Sequence, residues 1–185
     1  MQIGNFSVTI GKGVERESGY VDMQHNTEYT IELRNMGSED ANAQISIDGV
    51  DVGTFRVERY DRQIIKRPSH IARNFLFLKL GTPEAEQANL QANSDLGLIT
   101  VKFIPAKQER QFELLATKSI TFRGGAKGAS AGGTGLGSNS DQEFVSAKHI
   151  DLDHSRAVII NLRLVAIPDI IPLKPLSNPV PPSLL

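Results

Sequence analysis

Apolar residues recur at every second position along most of this chain, and that spacing constrains the fold more than any other feature. Tyr29, Ile31 and Leu33 alternate with Thr30, Glu32 and Arg34, and Ala43, Ile45 and Ile47 with Asn42, Gln44 and Ser46. Ile99, Val101 and Phe103 repeat the pattern, as do Val158, Ile160, Leu162 and Leu164. Successive side chains of a strand point to opposite faces, so such alternation puts one face in a core and the other in water. Further strands are predicted over residues 3–10, 52–57, 63–66, 73–78, 112–122 and 144–147. The run Phe75-Leu76-Phe77-Leu78 is apolar on both faces, which predicts a central strand covered on both sides or one lying at an interface.

Turn chemistry agrees. Asp48-Gly49 stands between two β-rich runs and predicts a tight hairpin, because both residues tolerate the positive φ such turns need. Residues 35–40 (NMGSED) separate two more strands, and Pro68 and Pro105 fit strand ends. Only residues 83–93 read as helix, with Thr82 as N-cap, Pro83 first, and Glu84 and Glu86 in the first turn. One short helix among nine or ten strands predicts an all-β fold, an antiparallel, jelly-roll-like β-sandwich with an extended C-terminal arm.

Two segments break the pattern. Residues 124–137 hold seven of the sixteen glycines, and a flexible loop is predicted over 124–142, because glycine loses most backbone entropy on ordering. Residues 168–185 carry six of the nine prolines, which oppose helix and sheet and favour an extended arm. The chain therefore divides into a sandwich domain over 1–167 and a docking arm over 168–185.

Composition removes several functions. With 20 basic and 21 acidic residues the net charge is −1, which gives no general attraction to nucleic acid or membrane surfaces. The absence of cysteine excludes thiolate nucleophiles, thiolate zinc sites and disulfides. No apolar run approaches the ~20 residues of a membrane span, and the first residues lack the pattern of a secretory leader. The glycine stretch has no G-x-x-x-x-G-K-[ST] and opens no helix, so it is not read as a phosphate loop. His25, His70, His149 and His154 show no paired spacing for a metal. Asp151, Asp153 and His154 form the one dense ligand-type cluster, read as a solvated loop. No nucleophile elbow accompanies the serines. The expectation is a non-enzyme with no cofactor and no metal.

Two candidate contact surfaces remain. The first is a charged strip, Arg56, Arg59, Arg62, Lys66, Arg67 and Arg73, with Phe55 and Tyr60 among them. A basic strip with aromatics is what a single-stranded nucleic-acid groove uses, but the favoured reading is the polar outer face of a hairpin pair, with an acidic face of a protein partner as a further alternative. The second is the arm itself. Ile167, Ile170, Ile171, Leu173, Leu176, Val180, Leu184 and Leu185 make it far more aliphatic than disordered tails usually are, so it is expected to dock on a neighbouring subunit or another protein, the alternative being that it folds back along its own sandwich.

The segments NTEYTIELRN (26–35), IDGVDVGTFRV (47–57), IKRP (65–68), GLITVKF (97–103), GGTGLGSNSDQEFV (132–145) and INLRLV (160–165) together carry a resemblance. Over about residues 25–166 the chain resembles the β-sandwich modules of structural and surface proteins of large double-stranded DNA viruses and phages. The resemblance implies a virion location and a role in capsid decoration, cement or spike. It also implies capsid or other virion proteins as partners, with homo-oligomers expected. The competing expectation is a carbohydrate-binding or adhesion module, which the absence of Trp and the three Tyr disfavour.

Overall fold

Asp48 and Gly49 take φ of 53° and 79°, the mirror-image turn that matches the twist of paired strands. Ile47 pairs with Val50 directly across it, so the predicted hairpin is present. The computed structural model describes residues 1–16, 18–107 and 130–167. Its strands are β1 (Gln2–Ile3), β2 (Phe6–Gly11), β3 (Val14–Glu15), β4 (Tyr20–Met23), β5 (Thr27–Asn35), β6 (Ala41–Ile47), β7 (Val50–Val57), β8 (Arg62–Ile65), β9 (Arg73–Lys79), β10 (Leu98–Pro105), β11 (Ser130–Asn139) and β12 (Val158–Ala166). Helical structure among the described residues is confined to α1 (Pro83–Gln87) and a 3-10 turn at His154–Arg156. The fold is all-β and mostly antiparallel, with one short helix.

The strands join in one open sheet ordered β1-β2-β5-β9-β11-β12-β10-β6-β7, with β8 also on β5 and the β3–β4 pair on β12. The β4–β12 pairing is parallel; the other pairings are antiparallel. The sheet doubles over on itself, so that Phe6 of β2 stacks on Phe103 of β10 with ring centroids 4.6 Å apart. The inward residues expected from the alternation, among them Ile31, Leu33, Ile45, Val101, Ile160 and Leu162, form one buried cluster. At about 25 cal/mol per Å² of buried apolar surface, this cluster is the main force holding the fold. β9 lies between β5 and β11, and its second apolar face is covered near α1, where Ala85 and Leu78 are both buried. Among the described residues no helix is long and apolar enough to cross a membrane.

Several expectations need correction. The strand predicted over 3–10 is broken by a turn at Gly4, whose φ is +56°, leaving β1 and β2. The helix predicted over 83–93 stops at Gln87; Thr82 caps it as expected, but Asn89 turns left-handed at φ +55°. β3 and β4 escaped notice because they are too short to show a period. Residues 144–147 form no strand, Phe144 being held by its ring instead.

The largest correction concerns the glycine-rich loop. Residues 130–139 are strand β11, paired with Lys79 to Arg73 of β9 and with the end of β12. Its glycines serve close approach. A Cβ on Gly132 would sit 2.4 Å from the Phe77 ring, and one on Gly133 2.5 Å from Leu96. Leaving out those side chains lets a core aromatic and the covering segment close on the strand from either side. The expected strand over 112–122, residues 124–129 of the expected loop, and the arm 168–185 lie outside the described residues.

Candidate functional site

The turn that makes the β6–β7 hairpin also places a carboxylate at the floor of a cleft. Half-buried Asp48 accepts the main-chain N–H of Gly97 on Oδ1 and that of Thr134 on Oδ2, each at 2.6 Å. Thr134 Oγ1 in turn shares a hydrogen bond of 2.7 Å with the buried Tyr29 hydroxyl. Burial pushes the Asp48 carboxyl above its ordinary range, while the two N–H donors and the nearby Arg163 pull against that rise. Burial likewise pushes the Tyr29 phenol up, so it stays neutral. Above this floor opens a cleft of about 530 Å³. Its rim carries the polar side chains of Asp51, His70, Asn89, Gln91 and Asn93, and Val50 and Leu136 give it apolar wall. Sequence reasoning found the Asp48-Gly49 turn but not the cleft, because its walls come from segments far apart in the chain.

The charged strip is not one surface. Arg56 donates from Nε to Asn42 Oδ1 at 2.7 Å and from a terminal nitrogen to the Lys148 carbonyl at 2.9 Å. Arg67 donates to the Gln142 carbonyl at 2.8 Å, and its guanidinium lies 4.4 Å from the centroid of the Phe144 ring. Lys66 Nζ reaches Asp141 at 3.4 Å. Arg73 donates to the carbonyls of Gly137 and Leu136. These four basic residues fasten β11 and residues 141–148 to the sheet. The same strap uses Gln142 as a substitute peptide group. Its side-chain amide accepts from Lys66 N at 2.8 Å and donates to the Ile64 carbonyl at 2.7 Å. Arg59 and Arg62 are exposed, with Arg59 N bonded to Asp40.

Of the aliphatic arm residues, Ile167 alone is described. It is half-buried, and its N–H donates to the Met23 carbonyl at 2.9 Å, continuing the β4–β12 pairing. Ile170, Ile171, Leu173, Leu176, Val180, Leu184 and Leu185 lie outside the described residues. In the acidic cluster, Asp153 caps the 3-10 turn through Ser155 and also accepts from Arg156 Nε at 3.0 Å. Those bonds hold its carboxyl below the ordinary range. Asp151 faces His149 at 3.7 Å instead, so the cluster does not gather its carboxylates on one point. Compared with known proteins, the chain matches no family model, no curated protein and no solved structure.

Proposed function

We propose that this chain is a non-enzymatic virion structural protein, a capsid decoration, cement or spike component anchored through its C-terminal arm. The observation that carries the reading is the use made of its shifted titratable groups. Asp48 fastens Gly97 and Thr134, Glu28 fastens Ser138, Asp153 fastens Ser155, and Tyr29 bonds Thr134. Catalytic sites leave perturbed groups free to face a substrate, whereas these three carboxyl groups are spent on main-chain N–H groups and Tyr29 on the Thr134 hydroxyl. The doubled-over sheet supports the sandwich reading, and β12 delivers the arm from its own end at Ile167. The eight aliphatic residues from Ile167 onward favour an already formed apolar groove on a capsid protein or a sister subunit.

Removal of residues 168–185 tests this. The expected product is a folded, soluble domain that no longer assembles with sister subunits or capsid protein. Ile171→Asp and Leu176→Asp are expected to weaken assembly in the same way, by carrying a charge into an apolar groove. A truncated chain that unfolds assigns the arm to its own core, and one that assembles normally places the anchor elsewhere.

The cleft favours a second reading, a carbohydrate-binding or adhesion module. Its amide and carboxylate rim around Asn89, Gln91, Asn93 and Asp51 is the donor and acceptor set that sugar hydroxyls use. Titration with neutral oligosaccharides, read from perturbed resonances of those residues, decides for or against it.

A further inference from the structure

The remainder of the charged strip meets an arginine that lies outside it in sequence. Arg34 of β5 and Arg62 of β8 are cross-strand partners, so their side chains leave the same face of the sheet side by side. Both are exposed, and among the described residues neither forms an ion pair with a carboxylate. Like charges set opposite each other repel and weaken the pairing. Together with Tyr60 and Asp61 they line a recess of about 290 Å³. Tyr60 stands at the mouth, 73% exposed, in a left-handed conformation at φ +57° that a bulky residue rarely takes. The turn is held there by main-chain bonds from Tyr60 N to Gly37 O, Asp61 N to Glu58 O and Asn35 N to Asp61 O.

We propose that this recess is an oxyanion site, taking a phosphate or sulfate group between the guanidinium groups of Arg34 and Arg62, with the Tyr60 ring at its side. Two guanidinium forks lining one recess suit a tetrahedral oxyanion, which they can both hydrogen-bond and neutralise. The bound anion would also remove the repulsion that the bare pair carries. Asp61 at the rim limits the recess to a single small group rather than an extended run of negative charge. The proposal is independent of the anchoring arm and of the cleft at Asp48.

The test uses the full chain with sodium sulfate, sodium phosphate and sodium chloride at matched ionic strength, and with glycerol 3-phosphate as an ester. Thermal unfolding and the side-chain resonances of Arg34 and Arg62 are the readouts. Sulfate and phosphate are expected to raise the melting temperature above chloride and to move both guanidinium signals. Arg62→Gln and Arg34→Gln are expected to bind roughly tenfold more weakly or worse, as loss of one charged hydrogen-bonding group implies. Without anion, Arg62→Gln is expected to be as stable as the parent or more so, because the repulsion is gone. Tighter binding of the ester identifies a phosphate carried on a larger molecule, and equal binding a free ion. Equal stabilisation by chloride, or an undiminished anion effect in both variants, overturns the site.

Discussion

The Asp48 carboxylate in the β6–β7 turn accepts the main-chain N–H of Thr134, 86 residues further along the chain, at 2.6 Å. Its other oxygen takes Gly97 N–H, so one side chain fixes a hairpin turn to the start of β10 and to the middle of β11. Asp48→Asn tests this tie sharply. Asparagine suits the turn's positive φ, but only one of its two head atoms accepts a hydrogen bond, and the other turns a donor toward a donor. A loss of about 1–3 kcal/mol is expected from leaving a buried N–H unpaired, measured by urea unfolding. An unchanged midpoint would show that the tie is dispensable.

Gly97 allows a harder test. Its φ is +76°, and a Cβ there would lie 2.5 Å from the Leu164 carbonyl and 2.7 Å from that of Gly132. Gly97→Ala therefore combines backbone strain with a clash against main chain, together about 3 kcal/mol or more. Gly132→Ala is expected to be damaging as well, because Phe77 is fully buried and its ring cannot swing away. If either variant matches the parent in thermal unfolding, the close approach is not structural.

The stability profile in acid follows from three carboxyl groups, two shifted down and one up. Glu28 is held below its ordinary range chiefly by hydrogen bonds from Ser138, and Asp153 by bonds from Ser155 and Arg156. A lowered carboxyl contributes stability above its unfolded range and loses it as pH falls through the folded value. Asp48, raised by burial, acts oppositely: the fold binds its proton more tightly, so its contribution declines as pH rises above the unfolded value of about 3.8. Glu28→Gln is expected to flatten the acid limb of stability against pH, and Asp48→Asn to steepen it. Parallel limbs in all three proteins would remove these assignments.

Hydrogen exchange addresses the strap and the strand it follows. The amides of Gly132 to Leu136 are expected to exchange slowly, because β11 is paired within the sheet. Gln142→Ala is expected to speed exchange at Lys66, whose N–H it leaves without that acceptor, and to leave the β11 amides slow. Rapid exchange throughout 132–136 in the parent would restore the loop reading.

The strands were legible because alternation is a local property of the chain, and Ile31, Ile45, Val101 and Ile160 all face inward as their spacing required. The Asp48-Gly49 turn and the Thr82 cap were legible for the same reason: each depends on neighbours within four residues. What escaped depends on residues remote in sequence. Seven glycines in fourteen residues signal mobility unless one knows that Phe77 and Leu96 occupy the space beside Gly132 and Gly133. Phe144 needed no strand partner because Phe55 and Arg67 hold its ring. Arg34 and Arg62 are unremarkable until β8 is laid against β5. The cleft above Asp48 has no sequence signature at all, since its walls come from five separate segments.

The amide of Gln142 has a topological consequence for β8. Ile64 O and Lys66 N are groups that a strand added at the end of β8 would address, and both are already occupied by one side chain. An incoming chain must displace that side chain before its first rung can form, and must also contend with the Arg67–Phe144 stack that seats the strap. One side-chain amide thus hinders sheet extension at that end of β8, where proteins more often use a charge, a proline or an additional strand. Strand addition at that end of β8 therefore begins with the loss of both Gln142 contacts.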